Sequence, residues 1–180
     1  MNDYYGRRMS HGAAPSTTAT ELLRHTVATL AYRAEKVLRD PPDGFAAYRL
    51  SPSSRTPLDI LEHMGDLVEW GDRMARGEYR WEPAPTGSWA AASDRFFRGL
   101  LALDESVGAS TFEKHSAGQI FQGPIADALT HVGQLAMLRG AISAPVKPES
   151  YARAEIRIGR VGREQAPPRA EFDGDASRRT

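Results

Sequence analysis

The chain has 180 residues, 41% of them hydrophobic, which suits one domain of ordinary size and is too apolar for a wholly disordered chain. Its 23 Lys+Arg balance 23 Asp+Glu, and this zero net charge argues against a nucleic-acid binder, which normally carries a basic excess. The absence of cysteine excludes disulfide staples, Cys-ligated zinc, iron–sulfur clusters and a thiol nucleophile, so any metal would rest on His, Asp, Glu or backbone oxygen.

Residues 1–16 contain Gly, Ser and Pro without periodicity and read as a loose arm. Arg7-Arg8 is not followed by an apolar run, and no stretch approaches the ~18 consecutive apolar residues of a membrane span, so a cytoplasmic protein with no membrane partner is expected. A first helix is expected over 17–39, with Leu23, Val27, Leu30, Ala34, Val37 and Leu38 on one side, stopping before Pro41-Pro42. The opposite side, with His25, Tyr32 and Lys36, reads as solvated.

The second helix, 57–76, has the clearest start: Thr56 caps, Pro57 suits the first position and Asp59 completes a capping box. Ile60, Leu61, Met64, Leu67, Val68, Trp70 and Met74 form its apolar arc, and Asp59, Glu62, Asp66 and Glu69 read as a solvated face. A Pro- and Gly-containing linker spans 77–87. The third helix, 88–107, carries Trp89, Phe96, Leu100, Leu103 and Val107 on one stripe and Phe97 and Leu101 on an adjacent patch. After a long connection over 108–123, Pro124 is expected to open a fourth helix to about 143. Arg139 falls inside its apolar arc, a position that only snorkelling near the helix end accounts for. Residues 146–164 read as an extended segment packing on the bundle, and 165–180 as a disordered tail. Four amphipathic helices with almost no strand signal define an all-α fold, a four-helix bundle over 17–145.

Two of the five histidines lie in apolar arcs: His63 on the second helix and His131 on the fourth. His11 lies in the arm, His25 on a polar side, and His115 in a loop beside Lys114. Asp127 precedes His131 by four residues and so shares its side of the helix. An aspartate at the edge of a core face is costly unless paired or ligated. Asp127-x-x-x-His131 spaces two ligands for one ion, and His63 from a facing helix supplies a third. Two His and one carboxylate suit Zn, Fe, Mn or Ni and leave positions open. The alternative from the same residues is a pair of core histidines, with Asp127 near a helix N-terminus where the dipole favours it. Asp59 and Asp66 flank His63 at i−4 and i+3, so either is placed to orient its imidazole.

With His63 on the second helix and the run Asp127-Ala-Leu-Thr-His131-Val-Gly-Gln134 on the fourth, the chain resembles the DinB/YfiT-like superfamily of metal-dependent four-helix-bundle proteins over about residues 17–145. Members carry one His on the second helix and a His-x-x-x-His pair on the last, often continuing into Gly-Gln. His63, His131 and Gly133-Gln134 match; Asp127 stands where the family commonly has histidine. The resemblance implies a bundle of the up-down-down-up type and an open divalent-metal site on His63, Asp127 and His131, of altered metal preference, or else a branch that has lost its metal. It also implies an enzyme that activates a low-molecular-weight thiol such as bacillithiol or mycothiol, or water, for attack on a small electrophile, as a thiol transferase or hydrolase. Gln134, one turn beyond His131, is the candidate for a catalytic group that binds substrate or water. A homodimer is expected from the relatives and from the Phe97–Leu101 patch. The competing expectation is a non-catalytic dimeric bundle with a binding or stress-associated role.

Overall fold

The computed structural model describes residues 17–172. Four long helices dominate it. Helix α1 is Ala19–Leu38, α2 is Pro57–Ala75 and α3 is Trp89–Ala109; α4 starts as Ala117–Ile120, passes through a π turn at Phe121–Ile125 and continues as Ala126–Ala141. Among the described residues there is no strand, only an isolated antiparallel bridge between Glu149 and Glu171.

Each helix begins at a cap readable in the sequence. Thr18 and Glu21 form a capping box for α1, Thr56 and Asp59 for α2, Ser116 and Gln119 for α4, and the Ser88 hydroxyl accepts from Ala91 N–H at the start of α3. Each reciprocal pair satisfies amide donors that the first helical turn leaves without partners.

The fourth helix thus starts seven residues before Pro124, not at it. A proline inside a regular helix removes an i→i−4 bond and crowds the preceding turn. Here the π turn widens the helix around Pro124, and Ala126 N–H reaches back to Phe121 O. Pro124 is buried against α2: a Cβ on Gly71 would lie 3.2 Å from its ring.

The core is continuous. Leu30, Leu61, Met64, Phe96, Leu100, Leu103, Ile125 and Leu135 are fully enclosed. Helix α2 packs on α3 and α4, and α1 packs on the same two. The polar face expected on α2 is a docking face instead. Residues 80–87 lie back along it: Asp66 accepts from Ala84 N–H at 3.0 Å, and Glu62 accepts from the Thr86 and Gly87 amides at 2.6 and 2.7 Å. Arg95 of α3 ties Glu69 and Asp66 together at 2.7 and 2.8 Å. Asp66 is therefore buried.

The expected polar side of α1 is also partly covered. His25 is exposed, but Tyr32 and Lys36 are buried under the C-terminal segment. There Glu149 accepts from Tyr32 Oη at 2.8 Å and from Lys36 Nζ at 2.9 Å, and Lys36 also meets Glu171 at 2.7 Å. Val161 anchors the segment in the core, and a single 3-10 turn, Tyr151–Arg153, interrupts it. Of the tail expected from residue 165, the part to Phe172 is described and held through Glu171; residues 173–180, like the arm at 1–16, lie outside the described residues.

Two more expectations change. Phe97 is buried with the Arg163 guanidinium 5.0 Å above its ring, while Leu101 is 45% exposed, so the two do not form one apolar patch. Arg139 does not snorkel to solvent. It crosses to the end of α1, donating to Val37 O at 3.0 Å, Arg39 O at 2.8 Å and Asp40 O at 3.3 Å, and to Ala144 O at 3.1 Å. A cation there satisfies carbonyls that the helix end leaves free.

Candidate metal centre

His63 projects from the middle of α2 toward α4 because it lies in the same arc as Ile60, Met64 and Leu67, which are buried. His131 occupies the matching arc of α4 with Ala128, Val132 and Leu135. The rings meet at 4.9 Å between centroids, nearly perpendicular. Asp127 reaches both: its Oδ1 is 3.4 Å from His131 Nε2 and its Oδ2 is 3.6 Å from His63 Nε2. One ligand atom from each of the three lies within 4.8 Å of those of the other two. The burial is graded, with His131 buried, His63 partly buried and the Asp127 side chain about half exposed, so the group opens to solvent on the aspartate side.

Those separations are too long for good hydrogen bonds, which cluster near 2.7–3.2 Å. The three ligand atoms spread over up to 4.8 Å, and closing to within about 4 Å of one another would let each reach roughly 2.1 Å from one ion. Two imidazole nitrogens and a carboxylate are gathered without bonding one another, which is the arrangement that a shared cation satisfies. By its chemistry the donor set could hold a divalent ion.

The imidazoles are prepared for that role in different ways. His131 Nδ1 lies 2.8 Å from Gln134 Oε1. An amide oxygen only accepts, so Nδ1 carries the proton, and Nε2, on the Asp127 side, is the atom available to a metal. Gln134 thus contacts the candidate ligand, a role beside the substrate-binding one expected for it. His63 titrates below the usual histidine range: burial is the largest cause, with the His131 and Arg55 charges adding to it against the opposing pull of Asp127 and Asp66. That direction favours the neutral ring that a ligand needs.

Neither carboxylate expected to orient His63 does so. Asp59 is committed to the Thr56 backbone at 2.8 Å, and Asp66 to Arg95 and Ala84. The neighbour that sequence reasoning missed is Trp81, whose ring lies edge-on to His63 at 5.7 Å. Trp81 continues into Trp70 at 5.8 Å, then Tyr79 at 5.7 Å and His115 at 5.6 Å, an aromatic wall leading away from the cluster. A tryptophan in a linker, just ahead of Pro83 and Pro85, is the available signal. No helix among the described residues is long and apolar enough to cross a membrane.

No protein-family model matches the chain, and neither the curated proteins nor the solved structures contain a match.

Proposed function

We propose that this chain is a DinB-like four-helix-bundle protein whose His63, Asp127 and His131 hold one divalent metal ion at an open site, serving a thiol transferase or hydrolase reaction on a small electrophile. The observation that carries the reading is the gathering of two imidazoles around one carboxylate, each Nε2 3.4–3.6 Å from an Asp127 oxygen, without hydrogen bonds among them. An ion so held supplies Lewis acidity and lowers the pKa of a thiol or water that it binds. The residues supply the rest. Asp127 offsets cationic charge, Gln134 holds His131 in the ligating tautomer, burial favours the neutral form of His63, and Trp81 lies against its ring.

The up-down-down-up course belongs to the same reading, and paired residues support it. Between α2 and α3, partners rise together, as Gly65 with Arg95, Val68 with Gly99 and Asp72 with Ser106. Between α1 and α3 they run oppositely, as Arg24 with Asp104 and Leu38 with Trp89, and so do those between α2 and α4, as Gly71 with Pro124 and His63 with His131. A linker that retraces α2 along Glu62, Asp66 and Arg73 is what two consecutive parallel helices require. Pairing of two copies rests on the resemblance alone.

The test is metal content. Protein purified without a histidine tag should take up about one cobalt(II) or zinc(II) per chain, His131→Ala should take up none, and Asp127→Asn should bind at least tenfold more weakly while both variants keep their helical circular dichroism. Uptake that is absent, or unchanged in His131→Ala, overturns the metal site and leaves the non-catalytic bundle.

A further inference from the structure

Beside the metal cluster, on the face that His131 and Gln134 share with the loop before α2, lies an open trough of about 370 Å³. Its walls are apolar: Leu50 from the loop, Ile60 from α2, and Met137 and Leu138 from α4. Leu50 is 56% exposed and Met137 60%, so two large apolar side chains line the trough in contact with solvent beside a polar cluster. Such exposure is costly for a surface without a ligand and ordinary for one that takes an apolar group.

One cation stands at the rim. Arg55 lines the trough and, among the described residues, makes no hydrogen bond or ion pair. The neighbouring arginine differs: Arg49 donates to Ser54 O and lies 3.9 Å from Asp59. The segment that presents Arg55 is well held. Ser51 N–H donates to Ser54 Oγ at 3.0 Å, Ser54 N–H donates to Ser51 O at 3.0 Å, and Thr56 caps α2 immediately after. A guanidinium that makes no hydrogen bond among the described residues, carried on a held turn beside an apolar floor and sharing only the charge of Asp59 nearby, is the complement of an anion with an apolar tail.

We propose that the trough binds an organic monoanion with an apolar chain, the chain lying between Leu50, Ile60, Met137 and Leu138 and the anionic group on Arg55. This rests on the metal reading only in making such an anion the substrate class of the site, because His131 belongs both to the trough wall and to the cluster. The binding itself stands on the trough and Arg55.

The test is calorimetric titration of the full chain, as purified and cobalt-loaded, with octanoate, octan-1-ol and octylammonium. Octanoate should bind roughly tenfold more tightly than octanol, the size of one charge-assisted contact, and octylammonium should bind more weakly than both. Arg55→Gln should bring octanoate down to octanol with octanol unchanged, and Met137→Glu should weaken both. Equal affinities, tighter binding of the amine, a preference that survives Arg55→Gln, or no saturation at millimolar octanoate overturns the proposal. Cobalt uptake is read separately from its visible spectrum. Uptake without octanoate binding sinks the trough and spares the metal site, and the reverse pair of results sinks the metal site and spares the trough.

Discussion

Gly99 lies where α3 rests on α2, and a Cβ there would stand 2.5 Å from Val68 Cγ2. Valine is stiff at χ1, so its methyl cannot swing clear as the end of a long side chain could. Gly99→Ala should therefore lower stability by about 1–3 kcal/mol in urea denaturation, and adding Val68→Ala should recover part of the loss. A Gly99→Ala protein as stable as the parent would show that the helices separate freely. The site was legible at this scale where a residue's own helix decides its direction. His63 and His131 sit in apolar arcs and Asp127 is one turn from His131, so their convergence followed from periodicity. The partners of the α2 carboxylates were not legible. Asp59 and Asp66 stand at helical spacing from His63, but a capping amide and the guanidinium of Arg95 hold them instead. Arg95 comes from another helix, and no local pattern announces it.

The elements were legible wherever a cap and an apolar stripe coincide, as at Thr56-Pro57, and were misread where two signals compete. Proline favours a first helical position, so Pro124 masked the Ser116-x-x-Gln119 capping box upstream. The π turn that reconciles them depends on the close approach of Pro124 to Gly71 on α2, which is a tertiary fact. Arg139 teaches the same lesson from the other end of that helix. Its place in an apolar arc makes sense only once its guanidinium is seen against the last carbonyls of α1. Arg139→Met keeps most of the apolar stem and removes the cap, so it should destabilise the chain by about 1.5–3 kcal/mol, with faster amide exchange concentrated in the last turn of α1. Uniform exchange along α1, or no change in the denaturation midpoint, would mean that water replaces the guanidinium without cost.

Across the whole molecule, the C-terminal segment is fastened to α1 by charge as much as by packing. Burial alone would push Glu149 up, but hydrogen bonds from Lys36 and Tyr32 and the Lys36 charge outweigh it and hold the carboxyl below the usual glutamate range. Burial would likewise push Lys36 down, and its bonds to Glu171 and Glu149 raise it instead. Tyr32 is pushed well up by burial and by Glu149, so the phenol keeps its proton and goes on donating. The signs then fix the pH window. A depressed carboxyl contributes stability above its ordinary value of 4.5 and loses it as pH falls through the folded value; a raised ammonium contributes below its ordinary 10.5 and loses it as pH rises through the folded value. The fastening should hold between those limits and loosen first in acid, because protonated Glu149 would sit buried beside an ammonium that it no longer neutralises. Hydrogen exchange at falling pH, corrected for the intrinsic rate, should show residues 149–172 opening before α2 and α4. Glu149→Gln should reproduce that opening near neutral pH while the bundle helices stay protected. Simultaneous exchange of segment and helices at every pH would mean that the segment is an integral part of one cooperative core, held through Val161 rather than through its charges.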